Sequence, residues 1–137
     1  MKPDFAAALA RGVEHFNARE FWEAHEAWEE IWLAAESDVE QYLQGLIQLA
    51  AAYHHMQRGT LRGGVRLFDA SLRRLSAFPA GHCGIDRTDA EDAARGHREW
   101  AASVLARDAK ETLEAHEYPR LRRTIGDTAL IPPTERW

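Results

Sequence analysis

The sequence predicts an all-α fold, a compact bundle of about five helices with a central helical hairpin and an extended C-terminal tail. Three observations predict it. Apolar residues recur at steps of three and four through most of the chain, no segment alternates with period two between hairpin signals, and capping residues punctuate the apolar runs.

The elements follow in order. Phe5, Leu9, Val13 and Phe16 make residues 3 to about 17 an amphipathic helix, with Pro3 near its first turn and Asn17 at its end. A second helix runs from about Glu20 to Ala35, before Ser37 and Asp38, either of which can cap the next. The join is short, so helices one and two are expected to be antiparallel. The third helix, about Asp38 to Arg58, carries Tyr42, Leu43, Leu46, Ile47, Leu49, Ala50, Tyr53 and Met56 around most of its circumference, which puts it at the centre. Gly59 as C-cap and Thr60 as N-cap make a tight turn into a fourth helix ending near Phe78, so helices three and four form a hairpin. Leu61, Gly64, Val65, Phe68, Leu72 and Leu75 give that helix one packing face, where Gly63 and Gly64 permit close backbone approach. The loop FPAGHCGIDR follows, and Thr88 with Glu91 forms a capping box for a fifth helix reaching about Ala106. Residues 1–118 then make a single helical domain, and 119–137, with its RLRR cluster and Pro132–Pro133, an extended tail.

Composition sets the outer bounds. A chain of 137 residues, 45% hydrophobic and 28% charged, is of ordinary single-domain size and composition. No apolar run approaches the roughly 20 residues of a membrane helix, so a cytoplasmic location is expected. The single Cys83 has no cysteine to pair with, and beside His82 in a loop nothing orients it as a nucleophile. A net charge of -5 argues against general nucleic-acid binding.

The region that carries chemistry is EFWEAHEAWEEIW. Projected at about 100° per residue, Phe21, Ala24, Trp28, Ile31, Trp32 and Ala35 share a face with Trp22 at its edge. His25 falls beside Trp32 and Glu29 between His25 and Trp22, while Glu26 sits just outside and Glu23 and Glu30 point away. An inward carboxylate without compensation costs on the order of several kcal/mol, so Glu29 requires partners from another helix. Helix three offers Gln41, Gln44, Gln48, His55 and Arg58 within an arc of about 100°, with His54 just beside it. The expectation is that His25 and Glu29 meet Gln44, Gln48 or Arg58 in a polar network between helices two and three. The candidate polar site is thus Glu23, His25, Glu26, Glu29, Gln44, Gln48, His54, His55 and Arg58, lined by Trp22, Trp28 and Trp32.

The stretches FNAREFWEAHEAWEEIW, QGLIQLAAAYHHMQRG and GGVRLFDASLRRL resemble the bacterial and archaeal domain-of-unknown-function family 309 over about residues 13 to 76. The motif is carried by Phe16, Asn17, Phe21, Glu23, His25, Glu26, Trp28, Glu29 and Trp32, then Gln44, Gly45, Gln48, Arg58 and Gly59. Thr60 stands where the family usually has Asn, and both residues cap helices. The resemblance implies a compact all-α fold and supplies no activity.

Two interpretations compete at the polar cluster. A hydrogen-bonded brace between helices makes the chain an interaction or scaffold module with a protein or small-molecule partner. A ligand site makes it a pocket protein, or a hydrolase in which His25 or Glu29 acts as base and Arg58 stabilises an anion. HEAWE has Glu29 where the zinc motif HExxH has its second His, and no ligand spacing defines a metal site or implies a cofactor. The aromatic stripe is expected to be core. The arginines Arg58, Arg62, Arg66 and Arg73 are expected to be a solvated face that Glu20, Glu23 and Glu30 can pair with.

Overall fold

The computed structural model describes residues 4–124, so Pro3 and the tail from residue 125, with Pro132 and Pro133, lie outside the described residues. The fold is all-α. Its helices are α1 (Phe5–Asn17), α2 (Phe21–Trp32), α3 (Ser37–Arg58), α4 (Leu61–Leu75) and α5 (Thr88–Ala106). The long α3 lies between α2 and α4, α1 packs on α2, and α5 packs on α4.

Helix ends depart from expectation where side chains divert the capping groups. Helix α2 stops at Trp32 because the last turn tightens: the Ala34 and Ala35 amides donate to the Ile31 and Trp32 carbonyls. Ser37 is the first residue of α3, with φ 53°, so neither Ser37 nor Asp38 is the cap; that position is Glu36. Gly59 takes the expected left-handed cap with φ 76°, but the Thr60 hydroxyl turns back to His55 Nδ1 at 2.6 Å rather than capping α4. Helix α4 ends at Leu75, not Phe78, and the Thr88–Glu91 capping box does not form. Asp86 Oδ1 accepts the Thr88 amide at 3.0 Å, and the Glu91 carboxylate accepts instead from Arg87.

That arginine organises the corner between α4 and α5. Arg87 is 1% exposed and donates to Glu91 at 2.7 Å and to the carbonyls of Leu75, Phe78 and Pro79 at 3.0–3.1 Å. The guanidinium thus caps the carbonyl end of α4, where cation and helix dipole agree in sign, and lies over the Tyr42 ring.

The core is continuous from α1 to α5. Trp28 is fully buried, donates from Nε1 to the Leu9 carbonyl at 3.1 Å, and packs directly on Gly12, where a Cβ would stand 2.0 Å from that nitrogen. Phe16, Phe21, Tyr53, Phe68 and Tyr118 form an edge-to-face and stacked cluster around α3. The segment after α5 returns to the bundle. Leu121 is buried with both backbone groups bonded to the Asn17 side chain at 2.7 and 2.9 Å, and β2 (Arg122–Arg123) pairs antiparallel with β1 (Ile85–Asp86). Residues 119–124, assigned to the tail from sequence, are therefore docked; two-residue strands are too short to show any alternation. Among the described residues no helix is long and apolar enough to cross a membrane.

Candidate functional site

The polar stripe of α3 does not face α2 as a unit. Gln41 and Gln48 both accept from Arg74 of α4, Gln48 at 3.3 Å, and His55 leans on Thr60 and Gly63. The reason is geometric. A 100° arc on a helix flanked by two neighbours spans the ridge between them, so one edge leans on α4 and the other on α2. His54, on the α2 edge, is the residue that meets the α2 cluster.

That meeting point is built on Trp22. Its indole stacks on the His25 ring, with centroids 4.7 Å apart and planes 11° from parallel, and lies 5.4 Å from the His54 ring. His25 and Trp22 are three residues apart on α2, which places one above the other on the helix surface. His25 Nε2 reaches Glu29 Oε2 at 3.7 Å, one turn on. The expected burial of Glu29 is not observed: its side chain is 47% exposed, whereas that of His25 is 17% exposed. Glu29 therefore has water for solvation and does not call on Gln44, Gln48 or Arg58. The buried charged side chains among the described residues are Arg87 and Glu91 instead, far along the chain from α2.

Charge converges on His54. Burial pushes its pKa below the ordinary imidazole value, Arg58, His55 and His25 push the same way, and Glu23 opposes them. Glu23, Glu26 and Arg58 are exposed, and Gln44 is half-buried. Two nitrogens on α2, His25 Nδ1 and Trp32 Nε1, are buried with no hydrogen-bond partner among the described residues.

The three tryptophans have three different fates. Trp28 is core, Trp32 is half-buried against it, and Trp22 is 47% exposed, which corrects the expectation that the whole stripe is core. Leu33, just past the last turn of α2, is 75% exposed. Sequence reasoning passed over Leu33, although on the helical wheel it falls only about 20° from Trp22. The arginines Arg58, Arg62, Arg66 and Arg73 are exposed as expected, but two of their three proposed acidic partners are engaged by α1: Glu30 pairs with Arg11 at 2.8 Å and Glu20 with His15 at 2.9 Å.

A cleft of about 400 Å³ lies at the other end of α3, between Asp38, Gln41, Arg73, Arg74 and Phe78, and does not include the α2 cluster. Among the described residues no group of three or more His, Cys, Asp or Glu side chains is arranged to hold a metal ion. The side chains brought together at α2 can thus offer an aromatic surface, a His–Glu pair and flanking charges.

No curated protein matches the chain. Residues 9–67, from within α1 into α4, match the model of the family described as Domain of unknown function (DUF309), so the segment carrying the α2 and α3 motifs is similar to that family.

Proposed function

We propose that the chain is a helical interaction module whose contact face is the outer side of α2 with the adjoining edge of α3. One observation carries this reading. Among the described residues the exposed large hydrophobics are Trp22, in the first turn of α2, and Leu33, just past its C-terminal end, and Trp22 is held in place by ring contacts to His25 and His54. A pre-ordered aromatic at the surface gives contact area with little further loss of conformational freedom on binding, and tryptophan is enriched among residues that dominate binding energy. The flanking Glu23, Glu26, Glu29 and Arg58 supply a polar rim.

The test is site-specific photo-crosslinking in living cells. Leu33→p-benzoylphenylalanine should give discrete adducts identifiable by mass spectrometry, and Arg66→p-benzoylphenylalanine on the outer side of α4 should give none. Equal labelling from both positions, or none from Leu33, would refute the reading.

A second reading, a small-molecule or metal-binding pocket protein acting as a hydrolase through His25, Glu29 and Arg58, draws support from the unpaired His25 Nδ1 and Trp32 Nε1. It requires that Glu29→Gln abolish a co-purified metal or anion while leaving the helical fold intact. A wild-type protein that carries neither rejects it.

A further inference from the structure

We propose that the partner of the α2 face is a second copy of this chain, the two α2 helices packing antiparallel about a two-fold axis. The inference rests on the interaction reading above and deepens it by naming the occupant. Trp22, His25, Glu29 and Trp32 follow one another at steps of three, four and three, the spacing of a seam that stays on one side of a helix. The stripe is also palindromic in its chemistry. Trp22 and Trp32 are equidistant from position 27, and so are His25 and Glu29.

A two-fold axis through that midpoint sets Trp22 of one copy against Trp32 of the other, and His25 against Glu29, twice over. Aromatic meets aromatic and imidazole meets carboxylate at every crossing, which is what an isologous interface requires of a single surface. In a parallel arrangement in register, the same stripe would place His25 on His25 and Glu29 on Glu29. The exposures divide the stripe: Trp22 and Glu29 are each 47% exposed while His25 is 17% exposed and Trp32 half-buried, so each crossing sets a protruding side chain against a recessed one, and Leu33, 75% exposed, follows Trp32 at the end of the seam. The Trp22–His25 stack and the 3.7 Å approach of His25 to Glu29 hold the stripe ready within each copy.

Charge exchange between copies tests this. His25→Glu sets carboxylate against carboxylate at both crossings and Glu29→Lys takes from each His25 the carboxylate it would meet, so each variant alone should self-associate at least about tenfold more weakly than wild type. An equimolar mixture sets a carboxylate against an ammonium at one crossing and against an imidazole at the other, and should recover the dimer. Sedimentation equilibrium of the full chain across a wide concentration range gives the dissociation constants, and circular dichroism verifies that each variant is helical. Trp22→Glu, at an exposed position, supplies a second variant with the same expected loss should either charge variant misfold. A wild type that stays monomeric, singles that dimerise like wild type, or a mixture without recovery overturns the proposal. Leu33 crosslinks to a different protein with a monomeric wild type would reject the second copy and leave the interaction reading standing; no crosslinks and no dimer would remove both.

Discussion

Replacing Arg87 should be among the most damaging single changes available to this fold. Its guanidinium donates to one carboxylate and to three main-chain carbonyls, and the residue is 1% exposed. Arg87→Ala strands Glu91, whose side chain is 11% exposed, and takes from the Phe78 carbonyl the donor that caps it. Removing one member of a buried ion pair costs about 3–5 kcal/mol. Arg95, 3.8 Å from the other oxygen of Glu91, relieves part of this and moves the expectation to about 3–4 kcal/mol. Unfolding entropy of about 2.1 cal/mol/K per residue gives this chain roughly 0.29 kcal/mol/K, so Tm should fall by about 10–14 °C. Arg87→Lys keeps the charge but lacks the fork that reaches several acceptors, and should lose a smaller part. Thermal melts followed by circular dichroism at neutral pH measure both. Arg87→Met combined with Glu91→Leu separates the causes, because it removes the stranded carboxylate and leaves only the carbonyls unserved; it should be more stable than Arg87→Ala. An Arg87→Ala variant melting within about 3 °C of wild type, or a double variant no better than the single, would refute the reasoning.

Three further outcomes are expected. Gly12→Ala sets helix propensity, which favours alanine by about 1 kcal/mol, against a Cβ placed 2.0 Å from a fully buried Trp28 that its bond to Leu9 holds still; net destabilisation of about 2 kcal/mol or more should result, and a raised Tm would show that Trp28 can yield. Ile47→Asp, at a position 6% exposed on the central helix, should cost several kcal/mol, on the order expected for a buried unpaired charge, and an unchanged denaturant midpoint would contradict the placement of α3. His54, His82 and His97 have pKa values lowered chiefly by burial. The unfolded chain therefore takes up protons first as pH falls, so their contribution is whole above about pH 6.5 and is lost on acidification. Tm should decline between about pH 7.5 and 5.5, and His97→Gln, which can still bond the Tyr53 hydroxyl, should flatten the decline; identical slopes in the two proteins would rule out His97 as a contributor.

The helices were legible because each carries its own evidence. Leu9, Val13 and Phe16 declare a face without reference to anything beyond α1, and Gly59 declares a left-handed cap through its own backbone freedom. Arg87 was not legible. Nothing local distinguishes it from Arg95 or Arg98 on the next helix, and its role depends on carbonyls up to twelve residues away that only the folded corner presents together. The same long reach hid Leu121, whose backbone is held by Asn17 across the whole domain.

The site was half legible, and the missing half explains its chemistry. Helical projection gives the angle of a side chain about its own axis, so it grouped His25 and Glu29 with Trp22 and Trp32 correctly, and it assigned Gln41 and Gln48 to one stripe of α3. It cannot say which neighbour fills the space that an angle points toward. The network expected between α2 and α3 required α3 to turn its amides to α2, but Arg74 on α4 takes Gln48, together with Gln41. With Gln48 engaged elsewhere, a buried Glu29 would have lacked that compensation, and the fold leaves this carboxylate at the surface, as it leaves Trp22. The polar residues of α2 are thus not a brace that α3 satisfies. They lie on a face that the rest of the bundle leaves partly open, where His25 and Glu29, set symmetrically between Trp22 and Trp32, form the pattern that a reversed second copy would match.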